Sequence, residues 1–132
     1  MESPNAALRP SADEVATFTA YLIARYEDDK ERRISRFRLS RDSLRRMAQR
    51  TVLRDAFIED WREALASIHG WLAFPRGEEF GLLRDDAIDG WVRIGTKRVQ
   101  SERSRMRQGD RRIFDDMWKQ LSEREAEHNA SE

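Results

Sequence analysis

The stretch over residues 53–83 constrains the fold most, because the spacing of its apolar residues changes abruptly within it. Its first part repeats apolar residues every three or four positions, which predicts a helix with one buried side. These residues are Leu53, Phe57, Trp61, Ala64, Leu65 and Ile68. Gly70 predicts the end of that helix, because glycine readily takes the left-handed conformation of helix C-termini. Short apolar runs at 71–74 and 80–83 around a loop at 75–79 predict a β-hairpin.

A capping box begins an earlier helix. Ser11 and Glu14 have the spacing at which each side chain bonds the backbone amide of the other residue. Apolar residues then follow at helical spacing and predict a first helix over roughly residues 12–30 with one apolar side. The residues of that side are Val15, Phe18, Leu22 and Tyr26.

A short strand and a second helix are predicted between these two helices. Phe37 and Leu39 alternate with arginines, which is typical of a short edge strand. Ser40 is a good N-cap for the helix that follows. The expected buried side of that second helix is Leu44, Met47 and Ala48.

Two interpretations stay open for residues 86–108. In the first, Asp86 caps a fourth helix whose apolar residues, from Ile88 to Met106, share one side. In the second, residues 91–94 form a third strand, and the two glycines at 90 and 95 are compatible with either.

A last helix is predicted after the break at Gly109-Asp110. Its apolar stripe either packs within the monomer or pairs with a second copy, and two-fold pairing is the commonest oligomer. We favour a homodimer. The residues of the stripe are Ile113, Phe114, Met117, Trp118 and Leu121.

The predicted order of elements over roughly residues 12–84 resembles the winged helix-turn-helix superfamily. The residues that carry the resemblance are Phe37 and Leu39 in the strand, Leu44, Met47 and Ala48 in the second helix, Leu53, Phe57, Trp61 and Leu65 in the third, and the hairpin from Trp71 to Leu83. The resemblance implies that the third helix enters the DNA major groove and that the hairpin touches an adjacent backbone or groove.

The expected fold is therefore mainly α with a small β-hairpin. We expect a winged-helix-like core plus C-terminal helices in a single domain over residues 11–127. A flexible leader at 1–10 and a flexible tail at 128–132 would flank this domain.

The charges of the chain cancel overall but are sorted into alternating blocks. The net charges are −4 over 1–29, +8 over 30–54, −6 over 55–90, +6 over 91–112 and −4 over 113–132. A local cationic excess of this size is what phosphate contacts need. The alternative is a surface rich in salt bridges to acids of other helices. The candidate nucleic-acid-binding residues are Arg36, Arg38, Arg41, Arg45, Arg46, Arg50, Arg76, Arg93, Lys97 and Arg98.

The predicted third helix departs from a recognition helix. Its expected outer face carries Asp55, Glu59, Arg62 and Glu63, which would be repelled between phosphates. Our first interpretation is a small nucleic-acid-binding regulator or accessory factor that contacts the phosphate backbone through arginines. The alternative is a protein-interaction module, an inhibitor or a subunit of a nucleoprotein complex, that docks through this acidic face.

Other functional classes find little support in the sequence. Cysteine is absent, the two histidines are far apart and no phosphate-binding loop spacing occurs, so we expect no enzyme, no cofactor and no metal site. No apolar run reaches the roughly 18 residues of a membrane span. We expect a cytoplasmic protein, and we infer a bacterial, phage or plasmid origin.

Overall fold

The structure, a computed structural model, describes residues 7–130, which fold into helices and one small sheet. The chain forms two compact units that divide between Trp91 and Val92, where the sequence predicted one domain. The first unit contains α1 (Ala12–Lys30), β1 (Arg36–Ser40), α2 (Arg41–Ala48), α3 (Asp55–His69), β2 (Trp71–Arg76), β3 (Glu79–Arg84) and a 3₁₀ segment at Asp85–Gly90. The second contains a 3₁₀ turn at Lys97–Val99, α4 (Gln100–Arg107) and α5 (Ile113–Ala130).

The predicted leader and tail are only partly covered by the described residues. Positions 1–6 of the leader and 131–132 of the tail lie outside them. Helix α5 extends to Ala130 and thus includes residues 128–130, which the sequence assigned to the tail.

Three of the predicted helix boundaries have the expected capping or terminating residue. Ser11 Oγ accepts from the Glu14 amide at 3.2 Å, and the Glu14 carboxylate accepts from the Ser11 amide at 2.9 Å. Ser40 Oγ caps α2 by accepting from the Ser43 amide at 3.0 Å. Gly70 ends α3 in the left-handed conformation, with φ of 72°. These predictions were reliable because each depends on residues a few positions apart.

The three strands form an antiparallel sheet in the order β1-β3-β2. Leu39 lies opposite Phe80, and Ala73 lies opposite Leu82. These four residues and Trp71 are buried with the apolar sides of the helices. The fold is thus mainly helical with a small β-sheet, as the sequence predicted, and β1 adds a third strand to the hairpin.

Trp61 occupies the centre of this core and is fully buried. Its indole Nε1 donates to Thr19 Oγ1 at 3.1 Å, and Thr19 Oγ1 donates to the Val15 carbonyl at 2.7 Å. The indole also packs edge to face on Phe80, with ring centroids 5.1 Å apart. One side chain of α3 therefore fixes the positions of α1 and β3.

The prediction for the buried side of α1 was wrong for all but Val15. The buried residues are Val15, Ala16, Thr19 and Ile23, and the side chains of Phe18, Leu22 and Tyr26 are 40–47% exposed. Because Ala16 and Thr19 are small, α3 packs closely there, and the bulkier side chains remain on the flank.

The buried side of α3 is rotated relative to the predicted one. The buried residues are Ile58, Trp61, Ala64 and Leu65. Phe57 is only half-buried and Ile68 is 60% exposed, although the sequence predicted both on the inner side. The bond between Trp61 and Thr19 directs the buried side towards α1. Phe57 therefore lies at the edge of the core, and Ile68 lies outside it.

Neither interpretation of residues 86–108 is correct. The segment 91–96 forms neither helix nor strand, and α4 begins only at Gln100. Asp86 lies within a 3₁₀ segment and does not cap a helix. Val92 and Ile94 are more than 80% exposed. Without burial of these apolar side chains, neither a long helix nor a strand is stabilised.

Thr19→Val should destabilise the first unit by about 1 to 3 kcal/mol, because the indole N–H of Trp61 then stays buried without an acceptor. Valine has nearly the same shape as threonine, so packing changes little. Urea unfolding would measure the loss of stability. Thr51→Val is the matched control at an exposed position and should change the free energy of unfolding by less than about 0.5 kcal/mol. Equal effects of the two substitutions would contradict the assigned role of Thr19.

Candidate functional site

Three predicted arginines lie together on the face of the sheet that points away from the core. Arg36 lies opposite Leu83, Arg38 opposite Gly81, and Arg76 opposite Glu79. Since neighbouring residues of a strand point to opposite faces, the buried Leu39, Phe80 and Leu82 place these arginines on the other side. We call this surface the outer sheet face; it consists of Arg36, Arg38, Ser40, Leu72, Phe74, Arg76, Glu79, Gly81 and Leu83.

The Glu79 carboxylate forms ion pairs with two of these arginines. Glu79 Oε2 is 3.8 Å from Arg38 Nε, and Glu79 Oε1 is 3.7 Å from Arg76 Nη1. The arginine side chains are 75% and 78% exposed. Ion pairs this exposed contribute about 0 to 1 kcal/mol, so both guanidinium groups remain accessible to an anion.

Helix α2 carries two further candidate arginines, Arg46 with a side chain that is 79% exposed and Arg45 with one that is 33% exposed. Arg46 Nη2 is 2.9 Å from Asp42 Oδ2, and Arg45 Nη1 is 3.6 Å from Asp42 Oδ1. Because β1 ends at Ser40 and α2 begins at Arg41, these arginines follow the sheet directly along the chain. Asp42 is the carboxylate that both share.

Arg41 and Arg50 have partners within the fold. Arg41 Nη2 donates to the Leu53 carbonyl at 3.3 Å. Arg50 Nη1 donates to the Pro10 carbonyl at 2.8 Å, and its guanidinium lies 4.3 Å from the ring centre of Phe57. Both therefore stabilise the connection between α2 and α3. No sequence pattern signals these hydrogen bonds, because the acceptors are main-chain carbonyls.

Arg93, Lys97 and Arg98, the remaining candidates, belong to the second unit. All three are exposed, and Lys97 and Arg98 lie in the 3₁₀ turn before α4. The structure thus groups Arg36, Arg38 and Arg76 on the sheet, and Arg45 and Arg46 on α2. Arg93, Lys97 and Arg98 lie in a separate compact unit.

The candidate partner-binding residues of α3 divide into two kinds. Asp55, Glu59 and Glu63 are exposed, and Asp60 extends the same acidic face. Arg62 instead donates from Nε to the Ala73 carbonyl at 2.6 Å and from Nη1 to Glu59 at 2.8 Å. Its guanidinium therefore occupies a backbone acceptor of β2, which is an edge strand.

An ion-pair network links the end of α1 to the start of β1. Arg84 Nη2 donates to Glu27 Oε2 at 3.1 Å, and that oxygen also accepts from the Ile34 amide at 2.8 Å. Arg84 Nε donates to the Ile34 carbonyl at 3.2 Å, and its guanidinium stacks 4.5 Å from the ring centre of Trp71. Glu27 and Arg84 are both largely buried. The sequence analysis missed this network, because its two charges are 57 positions apart.

The second unit buries only one of the five predicted dimerisation residues. Ile113 is fully buried and Met117 is half-buried, whereas the side chains of Phe114, Trp118 and Leu121 are 57–72% exposed. The apolar stripe of α5 is thus present and largely open.

Asp110 and Arg105, two groups with shifted pKa values, lie at the junction between α4 and α5. Hydrogen bonds from Arg112 and Arg105 lower the pKa of Asp110, and hydrogen bonds to Asp116 and Asp110 raise the pKa of Arg105. A lowered carboxyl pKa stabilises the folded state above the pKa of the unfolded chain, and this contribution is lost as the pH falls through the folded value. At neutral pH these ion pairs therefore stabilise the junction between α4 and α5.

Other ligand classes receive no support within residues 7–130. No group of three or more acidic or histidine residues is arranged to hold a metal ion. In the same range, no helix combines the length and apolar character needed to cross a bilayer. Comparisons with models of protein families, with curated proteins and with solved structures found no match.

Arg50→Ala should lower the free energy of unfolding by about 1 to 2 kcal/mol, because it removes the bond to Pro10 and the cation–π interaction with Phe57. Arg46→Ala, on the preceding helix α2, is the control. Its side chain is 79% exposed and its ion pair is with Asp42, so the change should stay below about 0.5 kcal/mol. Urea unfolding of both variants checks the assignment, which fails if Arg46→Ala costs as much as Arg50→Ala.

Proposed function

We propose that the first unit is a winged-helix-type domain that binds nucleic acid through its phosphate backbone. The order of elements supports this proposal: helix, strand, helix, helix and a two-stranded hairpin, with β1 paired to the last strand of the sheet. This is the order on which the resemblance to the winged helix-turn-helix superfamily rests. The protein would act as a small regulator or accessory factor.

The observation that carries the proposal is a set of arginines around the β1–α2 connection, of which all but Arg45 are exposed. Arg36, Arg38 and Arg76 occupy the outer sheet face, and Arg45 and Arg46 lie on α2. The ion pairs of this set are with Glu79 and Asp42. A phosphate can replace these carboxylates, because each ion pair has at least one exposed partner and is weak, and the guanidinium group matches phosphate geometry.

The same geometry argues for backbone contacts rather than for reading of bases by α3. Asp55, Glu59, Asp60 and Glu63 are exposed on that helix, and phosphates on either side of a groove would repel them. Contacts to phosphate position a protein without specifying sequence. We therefore expect weak dependence on base sequence and strong dependence on salt.

Arg45→Ala, Arg46→Ala and Arg76→Ala combined should weaken binding to duplexes of unrelated sequence alike. The slope of log K against log salt should flatten by up to about 0.9 for each phosphate that the variant no longer neutralises. Fluorescence anisotropy over a salt series measures this change. The control combines Arg9→Ala with Arg25→Ala, two exposed arginines that belong neither to the outer sheet face nor to α2. It should keep the wild-type slope.

A protein-interaction module is the second candidate, supported by the four exposed carboxylates of α3. Glu59→Ala with Glu63→Ala should leave DNA affinity equal or higher under the phosphate proposal. Under the interaction proposal it should abolish capture of a basic protein partner. If the wild-type protein binds no DNA at low salt, the phosphate proposal is wrong and the acidic face becomes the site to test.

We also propose that the α5 stripe pairs two copies of the chain, because Phe114, Trp118 and Leu121 are largely exposed. Trp118→Glu should then convert a dimer to a monomer in sedimentation equilibrium, since a charge replaces the largest apolar side chain of the stripe. Lys119→Glu, at an exposed neighbour, is the control and should leave the mass unchanged. A monomeric wild-type protein would contradict this proposal.

A further inference from the structure

An apolar groove with a basic rim runs between the C-terminal half of α1 and the edge of β1. Leu22, Tyr26 and Phe37 contribute its apolar wall, and Arg32, Arg36 and Arg38 form the rim. Its volume is about 340 Å³. Leu22 and Tyr26 are 40% and 41% exposed, although the sequence predicted both on the buried side of the helix. We call this feature the edge groove.

Strand β1 borders the edge groove with an unpaired edge. In the order β1-β3-β2, β1 pairs with β3 alone among the strands of residues 7–130. The Arg84 amide donates to the Ser35 carbonyl at 2.8 Å, so Ser35 bonds towards β3. Backbone bonding alternates along an antiparallel strand. Phe37 and Leu39 therefore also bond towards β3, whereas the N–H and C=O groups of Arg36 and Arg38 point to the open edge.

The groove therefore offers backbone groups, an apolar wall and positive charge together. A strand added to a sheet edge gains affinity from main-chain hydrogen bonds and specificity from pockets for alternate side chains. The residues that line the groove include three arginines and no carboxylate. Glu27, the acid of the adjoining network, is engaged by Arg84 and the Ile34 amide. The charge thus favours an anionic occupant.

We propose that the edge groove binds an extended acidic peptide segment of a protein partner, which adds to β1 as a fourth strand. Side chains of the added strand alternate between two faces. Those on the α1 side meet Leu22, Tyr26 and Phe37 and are apolar. Those on the outer sheet face lie beside Arg36 and Arg38 and are Asp or Glu. The recognised segment therefore alternates apolar and acidic residues over about five positions, matching the length of β1.

This peptide site is separate from the proposed phosphate contacts of α2, although both proposals use Arg36 and Arg38. A bound acidic segment would cover these two arginines and reduce phosphate binding at the outer sheet face. The binding of peptide and that of nucleic acid should accordingly compete. The apolar wall on α1 belongs to the peptide site alone, so a substitution there separates the two activities.

The test uses the full chain and a fluorescent seven-residue peptide of alternating Glu and Val, with anisotropy as the readout. We expect saturable binding that weakens at least tenfold, about 1.4 kcal/mol, with Tyr26→Glu. Tyr21→Glu is the matched control on α1, because Tyr21 is 57% exposed and does not line the groove. It should bind the peptide like the wild-type protein, and both variants should keep wild-type circular dichroism.

A second peptide distinguishes strand addition from simple charge attraction. It has the same composition, but its Glu and Val residues are grouped in two blocks, so it cannot place acids and apolar side chains on opposite faces. The block peptide should bind at least tenfold more weakly. In hydrogen exchange, the amides of Arg36 and Arg38 should gain protection with the alternating peptide, while those of Phe37 and Leu39 are protected throughout.

Several results would overturn the peptide proposal. These are no binding of the alternating peptide at millimolar concentration, equal binding of the two peptides, or equal weakening in the Tyr21 and Tyr26 variants. Loss of single-stranded oligonucleotide binding in Tyr26→Glu, with no peptide binding, would assign the groove to nucleic acid. Self-association that Tyr26→Glu abolishes would assign it to a second copy. Absence of DNA binding, by contrast, removes the phosphate proposal and leaves this one intact.

Discussion

The hydrogen bond between Trp61 and Thr19 determines how the helices of the first unit are oriented. Trp61 Nε1 has its acceptor on α1, and the indole ring packs on Phe80 of β3. A buried indole N–H without an acceptor is costly, so α3 has little freedom to rotate about its axis. In the orientation that this bond fixes, Asp55, Glu59 and Glu63 of α3 point to solvent. The acidic face that sets this α3 apart from a recognition helix is therefore a consequence of core packing.

The arginines of the first unit serve two physical purposes. Arg41, Arg50, Arg62 and Arg84 donate to backbone carbonyls, which suits a planar group with several fixed donors. They connect segments that lie between 11 and 50 positions apart in the sequence. Arg38, Arg46 and Arg76 keep their side chains at least 75% exposed. The net charge of a segment does not separate these two purposes, because the basic block 30–54 contains arginines of both kinds.

The features that the sequence predicted well are local, and those it missed depend on tertiary contacts. The capping box at Ser11, the α2 cap at Ser40 and the terminator at Gly70 each need only nearby residues. The buried side of α1 was misjudged because large apolar residues repeat at helical spacing on a side that the small buried residues Ala16 and Thr19 do not share. The edge groove was missed because Leu22 and Tyr26, which form its wall on α1, were predicted to be buried.

The two edges of the sheet differ, and the difference bears on what can bind there. On β2, the Arg62 guanidinium occupies the Ala73 carbonyl, so an incoming strand finds that acceptor already bonded. On β1, the outward backbone groups belong to Arg36 and Arg38. Two copies of β1 placed edge to edge would bring arginines against arginines, which is unfavourable in cross-strand pairs. Unprotected edges promote aggregation, and this charge excludes identical strands while it attracts acidic ones. The same arginines thus make the edge selective, which a neutral open edge would not be.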